Sequence, residues 1–206
     1  MYTNSSMPVF ALLIAYLLGA VPFGYLLVKW RTGSDVRRAG SGNIGATNVL
    51  RTHGRAIALL TLVLDIAKGY LALWIAARLT GGNVLWLSAA AVAVMAGHAY
   101  TLFLRFQGGK AVASFVGAFF YLTPAALTAV IVLFIGVVAF TRYISLGSVI
   151  AAGSFPLAVW MIEHPPLPVL IASLAAGLFI VYKHKANLAR IRAGNENVLS
   201  FSGKKR

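Results

Sequence analysis

A glycine-rich, basic segment at residues 37–51 has the residue types that bind phosphate groups. Glycines let successive backbone N–H groups turn toward one anion, and arginine can bind a phosphate through two parallel hydrogen bonds. A loop that only contacts lipid headgroups is the alternative interpretation. The candidate phosphate-binding residues of the segment are Gly40, Ser41, Gly42, Asn43, Gly45, Thr47, Asn48 and Arg51.

Two further segments have features of a phosphate site. Gly108, Gly109 and Lys110 precede an apolar run, an order that places N–H groups, the positive end of a helix dipole and a cation together. His184 and Asn187 are three residues apart and would share one face of a helix. A turn with a basic anchor and a solvated helix end are the respective alternatives. One phosphate group would need only one such segment, so the presence of three favours two phosphorylated ligands over a single one.

Titratable residues also lie within apolar runs. Asp65 and Lys68 are three residues apart, and a structural ion pair is the favoured interpretation because charges within a span are costly and are usually paired. His98 is interpreted as a buried, hydrogen-bonded histidine. The four histidines and four acidic residues are scattered without metal-ligand spacing, and there is no cysteine, so no metal or cofactor is expected.

The composition predicts which elements must position these residues. The 206-residue chain is 60% hydrophobic and only 11% charged, too few charges for the surface of a soluble domain. Its net charge of +14 would suggest nucleic acid in a soluble protein. Here the basic residues lie in short segments between apolar runs, so the charge favours membrane topology and anionic partners, and nucleic acid is not expected.

The apolar runs predict an all-α bundle of seven membrane-spanning helices in a single domain, because backbone groups in lipid must pair internally. Fusing the fourth and fifth runs would move Arg142 and the basic tail outside. The predicted spans are residues 8–28, 56–77, 84–104, 111–122, 124–140, 144–162 and 167–182. The predicted cytoplasmic segments are 29–55, 105–110, 141–143 and the tail 183–206. The amino terminus is then outside, and all three candidate phosphate segments lie on the cytoplasmic face.

The sequence resembles the bacterial acyl-phosphate:glycerol-3-phosphate acyltransferases from the first span to about residue 196. The strongest part is the stretch 40–51, followed by Leu64–Gly69. Gly97-His98 with residues 108–110 matches a third motif, and His184, Asn187, Arg190, Gly194 and Glu196 match a carboxyl-terminal one. There are three departures: Ala111 replaces a usual Gly, Thr101 a Pro and Ser114 a Thr. If position 111 requires a positive φ, alanine is disfavoured there.

The resemblance implies a multi-pass enzyme of the bacterial cytoplasmic (inner) membrane with its active site facing the cytoplasm. It would transfer a fatty acyl group from acyl phosphate to the 1-hydroxyl of glycerol 3-phosphate, giving lysophosphatidic acid for phospholipid synthesis. An enzyme that supplies acyl phosphate is a candidate partner. A transporter or scramblase of an anionic solute or lipid is the main alternative, and a membrane scaffold is the second.

The hypothesis assigns the implied site residues in groups. Ser41, Arg51, Lys110, His184 and Asn187 hold the phosphate of glycerol 3-phosphate and form the catalytic set. Gly108, Gly109 and the 43–48 loop hold the acyl phosphate head, while the acyl chain lies in an apolar groove between helices. Asp65, Lys68, His98 and Glu196 support these groups. The proton of the attacking hydroxyl goes to His184 or to the departing phosphate.

Overall fold

The computed structural model describes residues 6–199, and within that range the chain is helical and contains no strand. Its ten α-helices are α1 (Met7–Ala20), α2 (Phe23–Thr32), α3 (Ala46–His53), α4 (Arg55–Thr80), α5 (Val84–Ala99), α6 (Val112–Leu122), α7 (Pro124–Thr141), α8 (Ile144–Glu163), α9 (Leu167–Lys183) and α10 (Lys185–Arg192). The predicted all-α class is therefore confirmed. Contacts divide the chain into two compact units, Met1–Leu122 and Thr123–Arg206; the predicted single domain stays a prediction.

The helices confirm a multi-pass membrane protein. Five helical stretches are long and apolar enough to cross a bilayer, and a sixth forms if α9 and α10, bent by 51°, are one span. Each predicted span overlaps a helix. Helix α6 has only 11 residues, about 16 Å at 1.5 Å per residue, compared with a hydrocarbon core of about 30 Å.

The first predicted span differs from a single helix. Helix α1 ends at Ala20 and α2 begins at Phe23, because Pro22 lacks an N–H and its ring interrupts the helical ladder. The third predicted span is also not a single α-helix. Helix α5 ends at Ala99, and the chain then forms a 3₁₀ turn at Leu102–Leu104. The predicted 29–55 loop is also largely ordered, since it contains the end of α2, a 3₁₀ turn and all of α3.

The break between α1 and α2 is stabilised by two side chains from other helical segments. Thr101 Oγ1 donates a hydrogen bond of 2.5 Å to the carbonyl oxygen of Ala20, and Lys68 Nζ donates one of 2.8 Å to that of Val21. Both donors are buried. A backbone carbonyl freed inside a bilayer must find such a partner, so Thr101 and Lys68 make the interrupted span possible.

Close backbone approach joins α4 and α6 in the first unit. A Cβ at Gly69 would collide with the carbonyl oxygen of Ser114, and a Cβ at Gly117 would collide with that of Ile66. Small residues at such crossings let transmembrane helices pack through backbone contact. The crossing anchors α6, and with it the segment that carries Lys110, against the long helix α4.

The second unit contains α7 to α10. Glu163, the last residue of α8, accepts hydrogen bonds of 3.0 and 3.2 Å from the N–H groups of Ala125 and Ala126 in the first turn of α7. A carboxylate stabilises the positive end of a helix. At the other end of α7, the N–H of Leu199 donates to the carbonyl oxygen of Arg142 at 2.8 Å, which ties the carboxyl-terminal segment to this unit.

Candidate functional site

The glycine-rich loop of the first unit folds around the side chain of Asn48. Its Nδ2 donates to the carbonyl oxygens of Val36, Ala39 and Asn43 at 3.2, 3.1 and 2.8 Å, and its Oδ1 accepts from the N–H of Ser41 at 2.8 Å. Asn48 is 1% exposed. It is therefore the residue that shapes the loop, and its predicted role as a phosphate ligand does not fit this geometry.

The backbone amides of the loop are also used internally. Gly42 N–H donates to the carbonyl oxygen of Ala39 at 3.1 Å, and Gly45 N–H donates to Asn43 Oδ1 at 2.8 Å. The predicted arrangement, with successive amides turned toward one anion, is thus not what this structure shows. Gly40 and Gly42 are needed for their positive φ of 60° and 70°, whereas Gly45 has an ordinary φ and precedes α3.

Side chains, rather than amides, remain the candidate phosphate donors of this loop. Ser41 is exposed, while Thr47 and Arg51 are half-buried and lie four residues apart on one face of α3. The opposite face places Val49 in a core that includes Val28. That core fixes the rotation of α3, and therefore the direction in which the face with Thr47 and Arg51 points.

The Gly108–Gly109 segment packs against the end of α5. The N–H groups of Gly108 and Gly109 donate to the carbonyl oxygens of Ala99 and His98, at 3.2 and 3.0 Å. A Cβ at Gly109 would collide with the imidazole of His98. The two predicted anion-binding amides are therefore engaged with the last carbonyl groups of α5, and the glycines are required because backbone and imidazole approach so closely.

Lys110 and the start of α6 keep the features of an anion site. Helix α6 begins at Val112, two residues after Lys110. The first N–H groups of a helix have no partner within it and carry the positive end of its dipole. The sequence predicted a cation directly before a helix N-terminus, and Lys110 has this position. The hydrogen-bond donors of the site would be the first N–H groups of α6, in place of the amides of Gly108 and Gly109.

Ala111 occupies the left-handed region of backbone conformation, with φ 62°, and it is completely buried. The condition under which alanine is disfavoured at this position is therefore met. For a residue with a Cβ, the left-handed conformation costs about 1–2 kcal/mol. This chain carries that strain at the residue between Lys110 and α6.

Replacing Ala111 with Gly is expected to stabilise the protein. The relieved strain exceeds the roughly 0.8 kcal/mol lost with one buried methyl group, so the net gain is below about 1 kcal/mol and the melting temperature rises by about 1–3 °C. Thermal unfolding in detergent measures the shift. Ala118→Gly is the matched control, because Ala118 is equally buried but lies within α6; this change should lower the melting temperature. A lower melting temperature in both variants would contradict backbone strain at Ala111.

Three titratable side chains of α4 and α5 form a buried cluster in the first unit. Lys68 Nζ lies 2.7 Å from Asp65 Oδ1, which confirms the predicted ion pair. His98 Nδ1 lies 3.7 Å from the same carboxylate oxygen and 3.3 Å from Ser114 Oγ. His98 is 4% exposed, as expected for a buried, hydrogen-bonded histidine. Through the packing of Gly109 on its imidazole, His98 connects this cluster to the segment that carries Lys110.

In the second unit, His184 stands at the bend between α9 and α10. The Nδ1 atom lies 2.8 Å from the carbonyl oxygen of Ile180. A carbonyl can only accept, so Nδ1 carries the proton and Nε2 holds the lone pair when the ring is neutral. This tautomer is the one in which Nε2 can accept a proton from a substrate hydroxyl. The ring is 3% exposed, and its orientation is fixed by this bond.

Asn187 and Glu196 belong to one hydrogen-bond network in the second unit. Asn187 Nδ2 donates to Glu196 Oε1 at 2.7 Å, Ser145 Oγ to the same oxygen at 3.0 Å, and Arg190 Nε to Glu196 Oε2 at 2.7 Å. Sequence reasoning missed Ser145, because a serine in an apolar run carries no distinguishing pattern. The predicted supporting role of Glu196 has a physical basis here, since its carboxylate fixes the amide orientation of Asn187.

The pKa of Glu196 is lowered from its ordinary 4.5. Burial acts to raise it, but the hydrogen bonds donated by Asn187, Arg190 and Ser145 together outweigh burial. A carboxyl whose pKa is lower in the folded state stabilises the fold above its unfolded-state pKa. This contribution is lost as the pH falls through the folded-state value.

Glu196→Gln is therefore expected to reduce stability most near neutral pH. The difference in unfolding free energy between wild type and variant should shrink as the pH falls below about 4.5, because the wild-type carboxylate then becomes protonated. Denaturant titrations in detergent across pH 3–7 measure it. Ser145→Ala removes one donor but keeps the carboxylate, so its stability curve should retain most of the pH dependence. A pH-independent difference for Glu196→Gln would contradict the linkage.

Within each unit the structure brings part of the predicted site together. The first unit places Ser41 on the glycine-rich loop and Arg51 on α3, which directly follows that loop, and it joins Asp65, Lys68 and His98 to the segment that precedes Lys110. The second unit joins His184, Asn187 and Glu196 at the α9–α10 bend. The roles of the individual residues toward a ligand stay predictions.

Comparison with known proteins gives consistent matches over nearly the whole chain. The sequence model of a family described as glycerol-3-phosphate acyltransferase matches residues 9–194. A relative of that name from Geobacter sulfurreducens is 45% identical over 184 residues, which cover 89% of this chain and 93% of the relative. Another, from Synechococcus elongatus, is 41% identical and covers 89% of this chain and 90% of its own.

Two solved structures have the same fold. Both are crystal structures of PlsY (YgiH), described as an integral membrane glycerol 3-phosphate acyltransferase. The glycerol 3-phosphate form has a TM-score of 0.88 and 34% identity, and covers 94% of this chain and 96% of the other. The lysophosphatidic acid form has a TM-score of 0.85 and 32% identity, and covers 94% and 95%.

Proposed function

Because this chain belongs to the glycerol-3-phosphate acyltransferase family, we propose that it transfers a fatty acyl group from an acyl phosphate to the 1-hydroxyl of glycerol 3-phosphate. The products are lysophosphatidic acid and inorganic phosphate. The observation that carries the proposal is the family match over residues 9–194, which spans every residue of the proposed catalytic set. The solved relatives are described in a glycerol 3-phosphate form and a lysophosphatidic acid form, the acceptor and product of this reaction.

The proposed chemistry is a displacement at the acyl carbon. The hydroxyl oxygen of glycerol 3-phosphate attacks the acyl carbonyl carbon, the bond from that carbon to the phosphate oxygen breaks, and the phosphate leaves with its electron pair. The hydroxyl proton passes either to the departing phosphate or to His184. The Nδ1–H tautomer of His184 supports the second route, because Nε2 then holds the lone pair.

In this proposal, cationic and hydroxyl side chains bind the phosphate groups of the two substrates. Two anionic substrates repel each other, and Ser41, Arg51 and Lys110 reduce that repulsion while they hold the phosphate groups. The acyl phosphate is already activated, so no nucleophilic side chain is required. Asn187, oriented by Glu196, contributes to binding glycerol 3-phosphate. The acyl chain lies among apolar helices.

We also propose seven spans, with the amino terminus outside and the active site facing the cytoplasm of the bacterial inner membrane. A helix in the structure overlaps each of the seven apolar runs. With this orientation, sixteen of the eighteen Lys and Arg residues lie on the cytoplasmic side, as the positive-inside rule favours. The exceptions are Lys68, in its buried ion pair, and Arg78 at the end of α4.

A reconstituted assay tests the reaction and the donor together. Purified protein in detergent micelles receives palmitoyl phosphate and glycerol 3-phosphate, and lysophosphatidic acid and phosphate are quantified. Equal amounts of both products are expected. Parallel reactions with palmitoyl-coenzyme A as donor should give no product. Folded protein that makes no lysophosphatidic acid from any donor would overturn the enzyme assignment, and product from coenzyme A alone would overturn the acyl phosphate donor.

Accessibility mapping tests the topology. Single cysteines, which the natural chain lacks, are introduced near residues 42 and 108 and at 164, and are labelled with a membrane-impermeant maleimide on intact cells. We expect labelling only at position 164. Labelling at 42 or 108 would contradict the cytoplasmic site.

A further inference from the structure

A polar cavity of about 580 Å³ lies beside the glycine-rich loop in the first unit. Its volume is in the range of small-molecule pockets. Lining residues that bear on its chemistry are Lys29, Ser34, Asp35, Arg38, Thr52 and His53. The lining contains neither Ser41 nor Arg51, so this cavity is separate from the residues assigned to the reaction.

The single carboxylate in this lining is already neutralised. Asp35 Oδ2 lies 2.7 Å from Arg37 Nη2, and Arg37 Nε donates to both carboxylate oxygens, at 3.0 and 3.2 Å. The hydrogen bonds from Arg37 lower the pKa of Asp35 to about 2, so the pair stays intact at neutral pH. The charges of Lys29 and Arg38 are then left uncompensated by the lining.

His53 is held in the lining by a hydrogen-bond contact at each of its ring nitrogens. Thr52 Oγ1 donates its only proton to the carbonyl oxygen of Asn48 at 2.7 Å, so the 2.7 Å contact between Thr52 Oγ1 and His53 Nδ1 requires a proton on Nδ1.

The other imidazole nitrogen contacts Ser34, whose hydroxyl group belongs to a further hydrogen-bond chain. Thr32 Oγ1 donates to the carbonyl oxygen of Val28 at 2.8 Å, so Ser34 Oγ must donate its proton to Thr32 Oγ1, 2.6 Å away. Ser34 Oγ lies 3.0 Å from His53 Nε2. Both ring nitrogens of His53 are thus in contact with hydroxyl groups of the lining.

The neighbouring helix end indicates the depth of the cavity in the bilayer. Trp30, next to Lys29 in the last turn of α2, is 84% exposed. Exposed tryptophans on transmembrane helices lie at the level of the lipid headgroups. Phosphate groups of lipids and dissolved anions both reach that level.

We propose that this cavity is a second anion site that binds a phosphate group, either of an anionic lipid headgroup or of free inorganic phosphate. Lys29 and Arg38 provide the charge, and His53 and two hydroxyl groups complete the polar lining. The inference goes beyond the proposed reaction and does not depend on it, since none of these residues is assigned to acyl transfer.

Equilibrium dialysis of the full-length protein in nanodiscs of zwitterionic lipid tests the proposal. The probes are radiolabelled inorganic phosphate and, separately, dihexanoyl phosphatidic acid. The Lys110→Ala variant should retain one class of binding sites. In that background, Lys29→Gln with Arg38→Gln should weaken this class by about tenfold or more, because hydrogen bonds to charged groups are lost. His53→Gln should weaken it as well.

Charge-matched variants provide the control. Arg78→Gln with Lys185→Gln removes the same charge elsewhere and should leave the affinity within about twofold, which separates local binding from net charge. Weakening of the lipid probe alone identifies the headgroup as the ligand, and weakening of inorganic phosphate alone identifies the free anion. The proposal is overturned if the Lys110→Ala background binds neither probe, or if the control pair weakens binding as much as the cavity pair.

Discussion

Lys110→Ala is expected to lower kcat/KM for acyl transfer by about 10²–10³, the effect typical of removing one preorganised donor from a developing negative charge. Lys110 is half-buried and precedes the N-terminus of α6, where a cation and the helix dipole act on the same anion. The measurement is initial rate against glycerol 3-phosphate and acyl phosphate concentration in turn. The substrate whose KM rises identifies the phosphate that Lys110 holds.

Two variants separate this effect from general ones. Lys110→Arg keeps the charge and should retain more activity than Lys110→Ala. Arg78→Ala removes a cation at the far end of α4, where the guanidinium stacks 5.1 Å from the Trp74 ring, and should keep nearly wild-type rates. Wild-type turnover in Lys110→Ala, with an unchanged melting temperature, would exclude Lys110 from the reaction.

Lys68→Met is expected to destabilise the protein by about 3–5 kcal/mol, because it leaves the buried Asp65 carboxylate without its cation. The side chains of both residues are only 3% exposed. The same change removes the hydrogen bond to the carbonyl oxygen of Val21 at the α1–α2 break. Unfolding in mixed detergent micelles, followed by circular dichroism, measures the loss.

The double variant Lys68→Met with Asp65→Leu distinguishes the two contributions. Removal of both charges should restore most of the stability. A residual loss of about 0.5–1.5 kcal/mol is expected from the lost hydrogen bond to the Val21 carbonyl oxygen, which keeps only the bond from the Phe23 N–H at 3.2 Å. If the single and double variants were equally unstable, the ion pair would not be the source of the effect.

The sequence predicted those contacts that spacing along one helix determines. Asp65 and Lys68 are three residues apart, so their pairing followed from helical geometry alone. The conformational demand at position 111 was raised by the family resemblance, in which a glycine usually follows Gly-Gly-Lys, and the positive φ of Ala111 meets that condition. The break at Pro22 was equally accessible from proline chemistry, but a long apolar run had suggested one uninterrupted helix.

Tertiary contacts account for what the sequence did not predict. Nothing in the order of residues 40–51 indicates that Asn48, rather than Ser41 or Thr47, points inward and fixes the loop. The amides of Gly108 and Gly109 likewise find their acceptors at the end of another helix, at Ala99 and His98. A local pattern indicates which groups can donate, but only the fold determines which acceptors they meet.

The shortness of α6 has a consequence for the surrounding lipid. In the proposed seven-span topology, this 11-residue helix is too short for an unperturbed bilayer, so the membrane beside it would become thinner, at a cost for every ångström of mismatch. Such local thinning brings the lipid headgroups beside α6 closer to the centre of the bilayer. A water-soluble molecule and a lipid would then meet beside α6 without the first entering the hydrocarbon core or the second leaving the bilayer.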